Sequence, residues 1–146
     1  MTLQPYVVAN NQPPRRRTIL LVEDEPFVRE ATCSILESAG FEVLPAEDAQ
    51  DAMQVYEEYK RGIDLVMTDM VLPGRSGQQL GHDLRARSPE VVVLLTSGYS
   101  NPDFETEALE SRTYFLAKPY SKRTLVEKIE QILGAAELGR AATQAG

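Results

Sequence analysis

One cysteine, Cys33, and one histidine, His82, are all that 146 residues provide of the two commonest soft metal ligands. A lone cysteine excludes an internal disulfide framework and a cysteine-based zinc site. A lone histidine excludes a multi-histidine metal site within one chain. No apolar run approaches the ~20 residues that a membrane-spanning helix needs. The N-terminus has no apolar signal core, which implies a cytoplasmic protein without a membrane partner. Positive charge is also in deficit. The net charge of -7 argues against a domain that grips nucleic acid by neutralising phosphates. It suits a domain whose ligand is a cation, although solubility alone also accounts for it. No internal repeat is visible.

What remains is an ordinary globular composition, 42% hydrophobic and 25% charged, of a length suited to one domain with tails. Residues 1–17 are polar, contain Pro5, Pro13 and Pro14, and end in three arginines. They read as a flexible leader. The folded domain is placed at 18–134, and the Ala/Gly-rich stretch 135–146 as a flexible tail.

Between these bounds short apolar runs alternate with amphipathic ones. Thr18–Val22 reads as a buried strand, followed by Pro26 at a helix start. Phe27, Ala31, Ile35 and Ala39, with Val28 and Leu36 alongside, form the apolar stripe expected of that helix, which Gly40 ends. Cys33 lies within it as a residue without chemistry. Phe41–Leu44 is a more exposed strand. Asp48 caps a second helix with Ala49, Ala52, Met53 and Tyr56 inward, closed by Arg61-Gly62. Ile63–Asp69 is a central buried strand followed by Pro73-Gly74. Ser76 begins an S-x-x-Q capping box, with Leu80 and Leu84 inward and His82 on the exposed face. Ser88-Pro89 breaks this third helix. Val91–Leu95 is a fourth strand. The segment from Asn101 to Glu110 holds a weakly patterned helix, with only Phe104, Ala108 and Leu109 apolar. Tyr114–Ala117 is a fifth strand. Ser121 caps a last helix with Leu125, Ile129 and Ile132 inward, ending at Gly134. Five βα units imply an α/β fold: a doubly wound, five-stranded parallel sheet, flavodoxin-like, in the order 2-1-3-4-5.

Polar residues follow four of these strands: Glu23 and Asp24, Asp69, Thr96 and Ser97, and Lys118. In a parallel sheet they share one edge, where open α/β sheets bind ligands. Singly, an acid after a strand is more often a helix cap or a solvated loop. Four such signals in register are harder to dismiss. Two carboxylates about 4 Å apart repel by roughly 4 kcal/mol at an effective dielectric near 20. A third requires a raised pKa or a cation. A hard divalent ion such as Mg²⁺ answers that need and leaves positions for phosphate oxygens. With Lys118 it can offset the added charge of a phosphoryl group, and a Ser97 hydroxyl can donate to one of its oxygens. The set suits an Asp69 carboxylate attacking phosphorus.

At Val22-Glu23-Asp24-Glu25-Pro26, Asp69 with Pro73-Gly74, Thr96-Ser97-Gly98-Tyr99 and Lys118-Pro119 the chain resembles a response-regulator receiver domain of two-component signalling. The resemblance runs over about residues 18 to 133. It implies that Asp69 is phosphorylated. Asp24, Asp69 and the Val71 backbone carbonyl would bind Mg²⁺ (or Mn²⁺), with Glu23 acting through water. It further implies that Lys118 pairs with the phosphoryl group and that the Lys118-Pro119 bond is cis. Ser97 would be the switch hydroxyl, with Thr96 as the alternative, and Phe115 the switch aromatic. Val71 and Tyr99 would flank the attacking water and slow hydrolysis. Glu23 stands where the family more often has Asp, and Phe115 lacks a hydroxyl. The Ser-Gly-Tyr loop and the poor fourth helix resemble receivers joined to hybrid histidine kinases and some stand-alone regulators.

The implied function is that of a phosphoaccepting switch, not an enzyme acting on other substrates. Its donor would be a histidine kinase or histidine phosphotransfer protein, and its output a protein contact or onward phosphorelay. The downstream protein is not legible, a homodimer is compatible with the pattern, and no nucleic acid is expected. The chain could equally be part of a hybrid kinase or larger regulator. A phosphorylation-independent binding module is a competing reading, disfavoured because acids, acceptor and lysine are all present. A phosphatase of the haloacid-dehalogenase type is disfavoured because Val71 stands where that group carries a second Asp.

Overall fold

Strand β1 (Thr18–Val22) is buried along its whole length, as a continuous apolar run must be when both faces of a sheet are covered. The computed structural model describes residues 16–59, 62–98 and 111–145. After β1 come α1 (Pro26–Ser38), β2 (Glu42–Ala46), α2 (Ala49–Glu58), β3 (Leu65–Asp69), α3 (Gly77–Arg87), β4 (Val93–Ser97), β5 (Thr113–Ala117) and α4 (Lys122–Ala145). All pairings are parallel and the strand order is β2-β1-β3-β4-β5, as the βα alternation predicts. The leader up to residue 15, Arg61, Tyr99 and the fourth helix expected at 101–110 lie outside the described residues.

The two-residue period of the strands divides the core in two. Leu20, Val22, Val66, Val93 and Leu95 face one way, against Ala49 and Ala52 of α2 and Leu80 and Leu84 of α3. Ile19, Leu21, Leu65, Met67 and Leu94 face the other, against Leu36 of α1 and Leu125, Ile129 and Ile132 of α4. The sequence-derived caps hold. Asp48 accepts from the Asp51 amide at 2.8 Å, Ser76 from Gln79 at 3.1 Å and Ser121 from Thr124 at 3.0 Å. Gly40, just past α1, takes φ +99°, the left-handed conformation that favours glycine at this position.

Three expectations need correction. The inward face of α1 is not the Phe27/Ala31/Ile35/Ala39 stripe. Thr32 and Leu36 are its buried residues, while Phe27 is 81% exposed and Val28 39% exposed. Period-four counting follows apolar letters and passes over a buried threonine. The last helix does not stop at Gly134; α4 continues to Ala145. One mid-helix glycine costs about 1 kcal/mol relative to alanine, and the alanines that follow are the strongest helix formers. An Arg17–Glu137 ion pair also ties α4 to the segment entering β1. Finally, β4 begins at Val93 rather than Val91, so Thr96 and Ser97 are its last two residues.

Leu36 is fully buried, so Leu36→Ala is expected to cost about 2–5 kcal/mol of stability. Phe27→Ser should change stability by no more than about 0.5 kcal/mol. Urea unfolding of the two variants checks this: equal losses would return Phe27 to the core.

Candidate functional site

The register of the parallel sheet assembles the polar edge. Val22 pairs with Thr68, Asp69 with Thr96, and Ser97 with Ala117. The residues at or just past these positions, Glu23, Asp69 and Lys118, therefore meet side by side. Lys118 Nζ donates to Asp69 Oδ2 at 3.0 Å and to Glu23 Oε1 at 3.4 Å. Backbone bonds fix all three carriers: Glu23 N to Ala46 O at 3.0 Å, Met70 N to Thr96 O at 2.8 Å and Lys118 N to Ser97 O at 2.8 Å. The second oxygens are also held. Glu23 Oε2 accepts from the Glu25 amide and Asp69 Oδ1 from the Val71 amide, both at 3.1 Å.

Of the other residues singled out from sequence, Asp24 is exposed beside Glu23, and Thr96 and Ser97 are buried at the end of β4. Val71 is 62% exposed. Phe115 packs against the core cluster on the α2/α3 side. The Lys118-Pro119 peptide is cis. Sequence reading missed Gly77. A Cβ there would lie 2.2 Å from the Asp69 carbonyl oxygen, well inside any tolerable contact. The first turn of α3 therefore presses on the backbone of Asp69 itself. The only clue was a glycine immediately after a good N-cap.

Two carboxylates share one ammonium, and burial weighs on Glu23 and Lys118. Burial raises the Glu23 carboxyl above its ordinary pKa; the Glu25 amide and Lys118 oppose this without cancelling it, and the Asp69 charge adds to it. Burial alone would lower Lys118, but the hydrogen bond and charge of Asp69, with Glu23 behind, hold it above its ordinary value. The ammonium lies nearer Asp69, which explains why it does not offset the burial of Glu23.

Among the described residues no three His, Cys, Asp or Glu side chains form a cluster that could hold a metal ion. Mg²⁺ does not need such a cage, since it is commonly held by one or two carboxylates and keeps its waters. The donors present are hard oxygens, and two carboxylates already converge on a single cation. That donor set fits a Mg²⁺ ion.

A doubly wound parallel sheet with two acids and a lysine gathered on its carboxyl edge defines a receiver-type signalling domain. The family model of the response regulator receiver domain matches residues 19–130, and the chain belongs to this family. It is 32% identical over 117 residues to the sensor kinase CckA of Brucella abortus, covering 80% of this chain and 12% of that one. It is 33% identical over 116 residues to the sensory transduction protein RegX3 of Mycolicibacterium smegmatis, covering 80% of this chain and 50% of that one. The chain thus spans about half the length, or less, of these curated relatives. Among solved structures, the receiver domain of the hybrid histidine kinase CckA matches with TM-score 0.69 and 35% identity, over 80% of this chain and 98% of that one. The response regulator TrrA of Thermotoga maritima, in complex with Mg²⁺ and BeF, matches with TM-score 0.70 and 26% identity, over 80% of this chain and 98% of that one.

The raised Glu23 pKa has a defined sign in stability. As pH rises past the ordinary value of 4.5 the unfolded chain releases this proton first, so the folded state loses stability until Glu23 itself ionises. In chelator, Glu23→Gln should therefore gain on the wild type in urea midpoint between about pH 4 and about pH 7. A gap that stays constant or narrows would contradict the assignment. Gly77→Ala should slow any reaction at Asp69 by at least tenfold, the cost of a misplaced reacting group, with the circular dichroism of a folded protein retained.

Proposed function

We propose that this receiver domain accepts a phosphoryl group on Asp69 from a phosphohistidine of a histidine kinase or histidine phosphotransfer protein. The observation that carries the reading is the contact of Asp69 Oδ2 with Lys118 Nζ at 3.0 Å, beside Glu23, at the end of the central strand. An Asp69 oxygen attacks phosphorus, the O–P bond forms as the P–N bond breaks, and the leaving imidazole takes up a proton. Lys118 is placed to meet the charge that this adds at Asp69. Asp24, Asp69 and the Val71 carbonyl would hold Mg²⁺, with Glu23 acting through water. The ion, when bound, neutralises charge on the transferring phosphoryl oxygens. Thr96 or Ser97 at the end of β4 supplies the switch hydroxyl, and Phe115 the aromatic whose packing responds.

The rim agrees with a protein donor. Phe27 and Val28 at the start of α1, and Val71 just after the acceptor, are large apolar residues exposed to solvent. Val28 also lines a cavity of about 470 Å³ with Gly98, Lys118, Pro119 and Tyr120. Exposed apolar groups around a charged centre suit a partner that brings its phosphohistidine on an apolar surface. The relatives include a sensor kinase and the phosphate regulon transcriptional regulatory protein PhoB of Pseudomonas aeruginosa. For this domain itself the output is a changed protein surface or onward phosphorelay, in the cytoplasm, and its net charge of -7 disfavours direct contact with nucleic acid.

Incubation with Mg²⁺ and acetyl phosphate should add one phosphoryl group to the intact mass, absent in Asp69→Asn and in chelator. No gain in the wild type, with either this donor or a phosphohistidine protein, refutes the acceptor reading; a gain in both proteins moves the acceptor elsewhere. Replacing Val71 and Tyr99 by smaller polar residues should shorten the phosphoryl lifetime, read from the decay of that mass.

A further inference from the structure

The apolar run that makes β3 a buried strand is broken one residue before Asp69 by Thr68, which is fully buried. By the two-residue period of the strand, its side chain lies on the same face as Val66. In register across the sheet its neighbours are Val22 and Leu95, and Phe115 stands beside Leu95. Val22 and Leu95 belong to the apolar cluster on that face, and Phe115 packs against it. Valine has nearly the same shape and would bury a methyl in place of the hydroxyl, so packing alone gives no reason for a threonine here. A buried hydroxyl needs a partner. That of Thr68 donates to the Asp69 carbonyl oxygen at 3.0 Å.

The peptide between Asp69 and Met70 is thereby held from three directions. Its N–H, that of Met70, donates to the Thr96 carbonyl oxygen of β4 at 2.8 Å. Its carbonyl oxygen takes the Thr68 hydroxyl. The same oxygen faces Gly77, where a Cβ would stand 2.2 Å from it and 3.1 Å from Met70 Cα. The following peptide is tied as well, because the Gly77 amide donates to the Met70 carbonyl oxygen at 2.9 Å. A backbone turns only about φ and ψ, so fixing the peptide beside Asp69 Cα fixes the direction in which the carboxylate leaves the chain. We infer that Thr68 is a positioning residue, whose hydroxyl locks the Asp69–Met70 peptide against the bare Cα of Gly77 and so aims the Asp69 carboxylate. Thr68 acts through that peptide. The carboxylate oxygens themselves meet the Val71 amide at 3.1 Å and Lys118 Nζ at 3.0 Å. A stiff β-branched side chain suits the task, since its χ1 has few alternatives.

This inference rests on the proposed phosphoacceptor function for its purpose, but its first readout does not need it. Amide hydrogen exchange of the full chain in chelator, followed by NMR, compares Met70 and Val71 with Val66. The Val66 amide bonds the Val92 carbonyl oxygen at 2.8 Å in the same strand, so it reports a general loss of stability. The wild type is compared with Thr68→Val, Thr68→Ala and Thr68→Ser, each first shown to unfold cooperatively in urea. Thr68→Val should speed exchange at Met70 and Val71, relative to Val66, by roughly fivefold, the factor that one neutral hydrogen bond is worth. Thr68→Ala, which also lacks the hydroxyl, should do the same and replaces Thr68→Val if valine does not fold. Thr68→Ser should keep the wild-type ratios. Phosphorylation by acetyl phosphate with Mg²⁺ should slow by a similar factor in the valine and alanine variants and not in the serine variant. Exchange that rises equally at all three amides, or Thr68→Ser behaving as Thr68→Val, would overturn the positioning role, as would wild-type phosphorylation in Thr68→Val. If exchange responds as expected while the wild type takes no phosphoryl group from acetyl phosphate or a phosphohistidine protein, the hold on the Asp69 peptide stands and the acceptor reading falls.

Discussion

Everything at the carboxyl edge of this sheet answers to one electrostatic constraint: two carboxylates, one of them buried, converge on a single ammonium. Glu23 and Asp69 come from neighbouring strands, and Lys118 reaches them from β5, at the sheet's edge. Two like charges about 4 Å apart repel by roughly 4 kcal/mol at an effective dielectric near 20, and a cation between them offsets that repulsion. Lys118 meets that need in part. Asp69 takes the shorter contact and Glu23 is left with a raised pKa from burial. A centre with an acid left over in this way favours any further cation, and it favours a chemical step that changes the charge at Asp69. The same arrangement explains the restraint on every participating atom, since a misplaced lysine would leave a buried carboxylate uncompensated.

The scaffold supplies that restraint from below and from the side. Residues on both faces of the strands are buried against helices, so the strand ends cannot shift without disturbing two packed layers. From the side, α3 approaches so closely that only glycine fits at position 77. Ser76 starts that helix, and the Gly77 amide bonds back to the Met70 carbonyl at 2.9 Å. The loop that follows Asp69 is thereby closed into a tight turn. Arg75 and Asp83, paired at 2.7 Å, join that turn to α3 on the solvent side.

The architecture was legible because strands buried on both faces write continuous apolar runs and because helix caps have local signatures. Asp48, Ser76 and Ser121 each announced a helix by a side chain that needs only its own neighbours. The acid and lysine positions were legible because each lies at or just beyond a strand. What escaped were features whose cause is distant in sequence. Nothing near Gly77 shows that Asp69 lies against it, and nothing near Thr32 shows that this polar residue is buried. The length of α4 escaped for another reason. Gly134 looks like a stop signal, but a helix is decided by its sum, and the alanines and the Arg17–Glu137 pair outweigh one glycine.

The misplaced stripe of α1 has its own physical content. Phe27 and Val28 are apolar yet exposed, while Thr32 is polar yet buried, the reverse of what burial energetics alone would select. A helix that serves only the core has no reason to invert this pattern. Here the inversion divides by place. The exposed apolar residues stand at the N-terminal turn, beside the acid–lysine centre, where a partner would have to approach. The buried threonine stands one turn further in. Within α1, violations of the apolar-inside rule thus fall in its first two turns, the end nearest the acid–lysine centre. The part of α1 that departs most from a simple amphipathic pattern is therefore the part with most to do at the site, and the remaining turns, with Leu36 and Ile35, do the ordinary work of closing the core.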